Sequence, residues 1–180
     1  MTVSLDNGFT FALEAKAVAD DGTFEGYASV FDVEDLGRDI VKAGAFRKSL
    51  RSRPSGRVKM LREHDMREPI GVWTDIVEDS KGLLARGRLV LDTTRGRETH
   101  ALMKAGAIDG LSIGYRTIRD TIDRAKRVRV LHELDLFEIS IVTLPMNPAS
   151  TVTRVKAAEN AGRARALVSA LNRAREALRT

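Results

Sequence analysis

Apolar and polar positions alternate in short runs along most of this chain, and the period changes only near its C-terminal end. Thr23-Phe24-Glu25-Gly26-Tyr27-Ala28-Ser29-Val30-Phe31 predicts a strand, with Tyr27, Val30 and Phe31 as packing residues. Asp32 to Asp39, containing Gly37, reads as a loop, and Ala43 to Leu50 as a short helix with Phe46 and Leu50 on one face. Pro54-Ser55-Gly56 breaks the chain before Val58-Lys59-Met60-Leu61, a strand that ends near His64. Ile70 to Val77 and Leu83 to Leu91 predict a strand pair around a turn at Asp79–Gly82. Thr94 is the expected N-cap of a helix that stops at Gly106. Ile108 to Ile118 and Val128 to Leu136 alternate as strands, Phe137 to Leu144 gives one more, and Pro145-Met146-Asn147-Pro148 closes the series. So many strands with two internal helices, no βαβ alternation and no repeat predict a β-rich α+β domain, an antiparallel barrel or sandwich.

From residue 157 to 178 the spacing is helical. Ala164, Leu167, Leu171, Ala174 and Leu178 form one apolar stripe, with arginines on the other faces. The chain is therefore expected to divide into a body, residues 1–150, and a basic Ala/Arg-rich helical tail, residues 151–180. Charge divides the same way. Of the net +5, the tail supplies all, with seven basic side chains against two acidic, while the body balances 23 against 23. The tail reads either as a helix docking on the body or a second copy, or as a basic arm for an acidic partner or nucleic acid. It has no aromatic residue for base stacking, which weighs against nucleic acid. Across 180 residues, 43% hydrophobic and 31% charged side chains suffice for a core. The absence of cysteine excludes a disulfide framework, a thiol nucleophile and a cysteine metal site. No apolar run approaches a membrane span, and Met1 to Asp6 lacks the pattern of a signal peptide, so a soluble protein of a reducing compartment is expected.

Candidate chemistry is sparse. Of the three histidines, His100 falls inside a predicted helix and His132 in a strand beside Glu133. His64, in Arg62-Glu63-His64-Asp65, stands where a strand gives way to a loop, a place that combines rigid support with access. No two histidines have metal-ligand spacing, and neither a Walker A nor a GxGxxG pattern occurs, so no metal, nucleotide or organic cofactor is expected. Gly110-Leu111-Ser112-Ile113-Gly114 matches GxSxG, but Tyr115-Arg116-Thr117-Ile118 continues as a strand where a nucleophile elbow needs a helix. Between small neighbours, Ser112 Oγ stays accessible, with backbone N–H groups beside it as oxyanion donors. Glu138 leads into the apolar Ile139-Ser140-Ile141-Val142-Thr143-Leu144; it is either a solvated strand start or the carboxylate that orients a histidine, with Glu133 and Asp135 as rivals.

Taken in order, Gly26-Tyr27-Ala28-Ser29-Val30-Phe31, Gly37-Arg38-Asp39 with Gly44-Ala45-Phe46, His64-Asp65, Gly110 to Tyr115, and Glu138 to Val142 ahead of Pro145-Met146-Asn147-Pro148-Ala149 resemble the prohead (capsid maturation) serine proteases of HK97-type tailed bacteriophages. The resemblance covers residues 24–150. That family is similar in fold to the herpesvirus assemblins, which implies a closed antiparallel β-barrel with surrounding helices. It implies a serine endopeptidase with His64 as general base, Ser112 as nucleophile and Glu138 as third member, His132 being the alternative. It implies as substrates the scaffolding segment of the major capsid protein and the protease itself, cut inside the assembling prohead in the host cytoplasm, and by analogy a homodimer. The charged Arg62-Glu63 ahead of His64 departs from the bulkier, less charged pair expected there and bears on substrate preference. A second reading keeps the fold and drops the chemistry, leaving a silent capsid-assembly scaffold partner.

Overall fold

In the computed structural model, which describes residues 18–153, eight strands carry the architecture of the described residues. They are β1 (Thr23–Val30), β2 (Asp39–Val41), β3 (Lys59–Arg62), β4 (Asp65–Glu78), β5 (Gly82–Leu89), β6 (Gly110–Asp123), β7 (Val128–Val142) and β8 (Val152–Thr153). Helices α1 (Arg47–Ser52) and α2 (Thr94–Lys104) are short. The predicted tail helix lies outside the described residues; Val152 of β8 pairs with Gly26 of β1.

β1 and β5 follow the period-2 rule over most of their length, whereas β4, with a register shift between Trp73 and Asp75, buries every third residue, Ile70, Trp73 and Ile76. In β1, Phe24 and Ala28 point inward, and the Phe24 ring meets Trp73 edge-on with centroids 5.5 Å apart. The β4–β5 turn is held by Asp79, whose Oδ1 accepts from Lys81 N–H at 2.8 Å and Gly82 N–H at 2.9 Å. Helix α1 starts later than the pattern predicts, because Gly44 at φ +90° turns the chain before Arg47. The cap of α2 is Thr93, one residue earlier than expected, with its Oγ1 accepting from Gly96 N–H at 3.0 Å.

Two expectations are corrected. The sheet is not all antiparallel, since β2 and β3 both run parallel to β7. Nor is it a closed barrel: the order is β2-β7-β3-β4-β5-β1-β8 with β6 on β7, a curled half-barrel. Between β1 and β6 the ladder narrows to the two residues of β8 and one isolated bridge, Gly110 to Thr151. The parallel pairs arise because β7 is long enough to hold β2 at Arg129–Leu131 and β3 at Glu138–Ile141 on one edge. The segment leading into α1 fills the gap between them. Leu134 N–H donates to Ala45 O at 2.9 Å and Leu136 N–H to Ser49 Oγ at 2.9 Å, so the ladder stays satisfied.

β7 also runs continuously where the pattern suggests two strands. Opposite β6 the register passes from Tyr115–Leu136 to Gly114–Glu138, leaving Phe137 as an extra residue. That bulge resets the alternation. Leu134 and Leu136 face the core before it, Ile139 and Ile141 after it, and Glu138 and Ser140 turn to the opposite face.

Candidate active site

The β3–β4 hairpin places His64. Arg62 pairs with Asp65, so Glu63 and His64 alone make the turn, at φ +51° and +59°. A two-residue hairpin turn with both residues left-handed favours Asn-Gly; here neither is glycine. Such backbone costs roughly 1–3 kcal/mol per residue and persists only when the surroundings enforce it. β7 enforces it. Glu63 N–H donates to Ile141 O at 3.0 Å, and Glu63 Oε1 accepts from Thr143 N–H at 2.8 Å and Thr143 Oγ1 at 2.7 Å. His64 N–H donates to Ser140 Oγ at 3.2 Å. Glu63, read from sequence only as a departure bearing on substrate preference, is committed to this clamp.

The turn aims the imidazole at the carboxylate that the β7 bulge brings round. His64 Nδ1 lies 2.6 Å from Glu138 Oε1, with the Glu138 side chain 12% exposed and that of His64 42%. A carboxylate only accepts, so Nδ1 carries the proton and Nε2 is left with its lone pair. The hydrogen bond to Glu138 raises the His64 pKa above 6.5, against partial burial; the Glu138 and Glu63 charges add to the rise. Glu138 Oε2 accepts from Ser140 Oγ at 2.6 Å. Gly114 lies opposite Glu138, and a Cβ there would sit 2.8 Å from Glu138 Cγ and Cδ and closer still to Oε1. The second glycine of GxSxG thus makes room for the carboxylate. The first, Gly110, makes room for Pro145, whose Cδ would lie 2.7 Å from a Cβ. Neither forms an elbow.

Ser112 is the third residue of β6, directly opposite Ser140 and two residues from Gly114. Directly opposed residues hold their Cβ atoms about 4.5–5.5 Å apart, so Ser112, Ser140 and Glu138 share one face. Ser112 is 5% exposed and lines a cavity of ≈ 90 Å³ with Ser29, Val33, Asp35, Ile113, Met146 and Asn147. The structure shows no direct hydrogen bond between Ser112 and His64. Among the described residues, Ser112 Oγ and His64 Nε2 both lack a hydrogen-bond partner. Ser140 is the rival serine, but it is fully buried and its hydroxyl proton is committed to Glu138.

The other candidates lie elsewhere. His132 is six residues along β7 from Glu138, about 20 Å at strand rise, and meets Thr121 Oγ1 at 2.8 Å. His100 Nε2 bonds Ala19 O at 2.9 Å. Glu133 pairs with Lys48 at 2.8 Å, and Asp135 with Arg53 at 3.0 Å and Arg116 at 3.2 Å. Sequence reasoning missed the role of Asp39, buried in the cavity wall, where it accepts from Arg129 Nε at 2.8 Å and Tyr115 OH at 3.2 Å. Burial and the Asp39 charge push the Tyr115 hydroxyl up to about 12, so it stays a neutral donor. The signal was the Gly37-Arg38-Asp39 triplet.

Comparison with known proteins adds to the geometry. The family model described as caudovirus prohead serine protease matches residues 10–164. The prohead protease of Enterobacteria phage HK97 is 34% identical over 140 residues, covering 77% of this chain and 62% of that protein. The chain therefore spans about three fifths of the length of the curated relatives it matches, 62% and 61% for the first two. The bacteriophage T4 capsid assembly protease superimposes with a TM-score of 0.55 at 16% identity, over 67% of this chain and 80% of that one, which shows a shared fold. The KSHV protease superimposes with a TM-score of 0.46 at 12% identity, over 72% of this chain and 63% of that one.

Proposed function

The chain belongs to the caudovirus prohead serine protease family, and on that premise we propose that it is a serine endopeptidase of capsid maturation, with Ser112 as nucleophile, His64 as general base and Glu138 orienting the base. The observation that carries this reading is the 2.6 Å pair of His64 Nδ1 and Glu138 Oε1 on the sheet face that Ser112, opposite Ser140, also occupies.

On this reading His64 Nε2 takes the Ser112 proton as Oγ attacks a peptide carbonyl. Glu138 stabilises the imidazolium that forms, and the same proton then passes to the leaving amine. Water, deprotonated by His64 in turn, releases the acyl group. Proton transfer of this kind contributes about 10²–10⁴-fold in rate. The oxyanion donor follows from the strand. Leu111 N–H points away from β7, donating to Ser150 O at 3.0 Å, and the two-residue period turns Ile113 N–H to the same side, at the cavity wall beside Ser112. Arg38, which stands between the cavity residues Gly37 and Asp39, is engaged elsewhere: its Nε donates to Arg127 O at 3.0 Å and its Nη2 to Lys126 O at 2.6 Å.

The substrates on this reading are the scaffolding segment of the major capsid protein and the protease itself, cut within the assembling shell. Co-expression with the cognate capsid protein, read by mass, tests it. The native chain is expected to shorten the capsid protein while Ser112→Ala leaves it full length. Full-length capsid protein from both, despite normal shell assembly, overturns the protease reading and leaves the silent scaffold partner.

A further inference from the structure

We propose that Ser140 is a positioning residue of this site, whose hydroxyl locks the carboxylate of Glu138 and the turn bearing His64 in one arrangement. The proposal rests on the reading of Ser112, His64 and Glu138 given above. Its ground is a hydroxyl used to capacity. Ser140 has one proton, which goes to Glu138 Oε2 at 2.6 Å, and a lone pair that accepts from His64 N–H at 3.2 Å. The residue is fully buried, so no water substitutes for either contact. Its backbone stands between Ser112 of β6 and Leu61 of β3 in the ladders, so the same residue that ties acid to base faces the strand carrying the nucleophile.

Each contact restrains something otherwise free. Glu138 has its carboxylate beside Gly114, which offers no side chain to hold it. With Oε2 released, the carboxylate rotates about its terminal torsion and Oε1 leaves the line to Nδ1. His64 sits at φ +59°, and the bond from its N–H is one of the four that hold this turn. Removing the hydroxyl therefore loosens both partners of the 2.6 Å pair while leaving the cavity lining untouched. A purely structural serine would lower stability without selecting for that pair.

Two readouts separate these cases. In the Ser112→Ala background, which does not depend on turnover, the His64 Nδ1–H proton is followed by NMR as a downfield resonance. It is expected in Ser112→Ala and absent, or in fast exchange, in Ser112→Ala/Ser140→Ala. In the otherwise native chain, Ser140→Ala is expected to lower kcat by about tenfold to a hundredfold, the loss of a hydrogen bond to a charged group, with KM held within about twofold. An unchanged resonance, or kcat at the parent value, overturns the proposal. If Ser140→Ala does not fold, Ser140→Cys, near in volume and a weaker donor, is read in both assays and must fall between; parent values there overturn it equally. If the resonance responds as expected while the native chain cleaves no capsid protein, the positioning role stands and the protease reading falls.

Discussion

Gly114→Ala puts one methyl group where the geometry says the site has no room. The new Cβ would lie 2.8 Å from Glu138 Cγ and Cδ, and closer to Oε1, the atom that holds His64. Carbon atoms rest about 3.5 Å apart or more, so the carboxylate must retreat by about 0.7 Å or further. The clash is with the far end of a flexible side chain, and Gly114 does not have positive φ, so the fold yields cheaply. We expect a loss near 1 kcal/mol, the low end of overpacking, and a melting temperature lower by about 2–4 °C. Function does not yield so cheaply, because a displacement of about 1 Å costs on the order of a hundredfold. The assay is single-turnover cleavage of the capsid protein, compared for Gly114→Ala, Glu138→Asp and the double variant. Glu138→Asp shortens the acid and loses the reach to Nδ1 by itself, so adding Gly114→Ala should cost little more. Parent activity in Gly114→Ala, or losses that simply add in the double variant, refutes the reasoning.

The pH dependence follows from His64. Its neutral form accepts the serine proton, so kcat/KM should rise through a value above 6.5; Glu138→Gln should draw that limb back toward 6.5 and lower kcat, while His132→Ala leaves kcat within about twofold. Stability runs the other way: with the folded pKa raised, the pair adds stability that is fully present below the unfolded value and is lost as pH rises through the folded one. Denaturant unfolding of native chain and Glu138→Gln should therefore differ most at low pH and converge at high pH. Glu63→Ala, which removes the acceptor of Thr143 N–H and Oγ1 at an exposed site, should cost about 0.5–1.5 kcal/mol in urea unfolding, whereas Glu63→Gln, which keeps a carbonyl oxygen in place, should cost well under half of that. Equal losses in the two would remove the clamp from the account.

Much of the body was legible in the residue pattern. Strands such as β1 and β5 bury every second side chain, and that period is written directly in the order of residues. Type and place offered the three residues as separate candidates, a histidine at a strand end, a serine between glycines, a carboxylate leading an apolar run, and only the family resemblance joined them into a triad. What the order of residues could not hold was pairing. β2 is three residues long and exists only because β7 offers it an edge. The parallel neighbours of β7, and the narrow join at β8 that leaves a half-barrel in place of the closed barrel, depend on contacts between segments far apart in the chain. The site shows the same division. Local sequence determined that Glu138, Ser112 and His64 were available. The face Glu138 occupies was decided by a bulge at Phe137, and the left-handed turn at Glu63–His64, which no local propensity favours, by hydrogen bonds with Ser140 and Ile141 of β7 and with Thr143 just beyond it. Period and propensity act within a few residues, whereas register and strain are set by the partner strand, and this site is built from the second kind of cause.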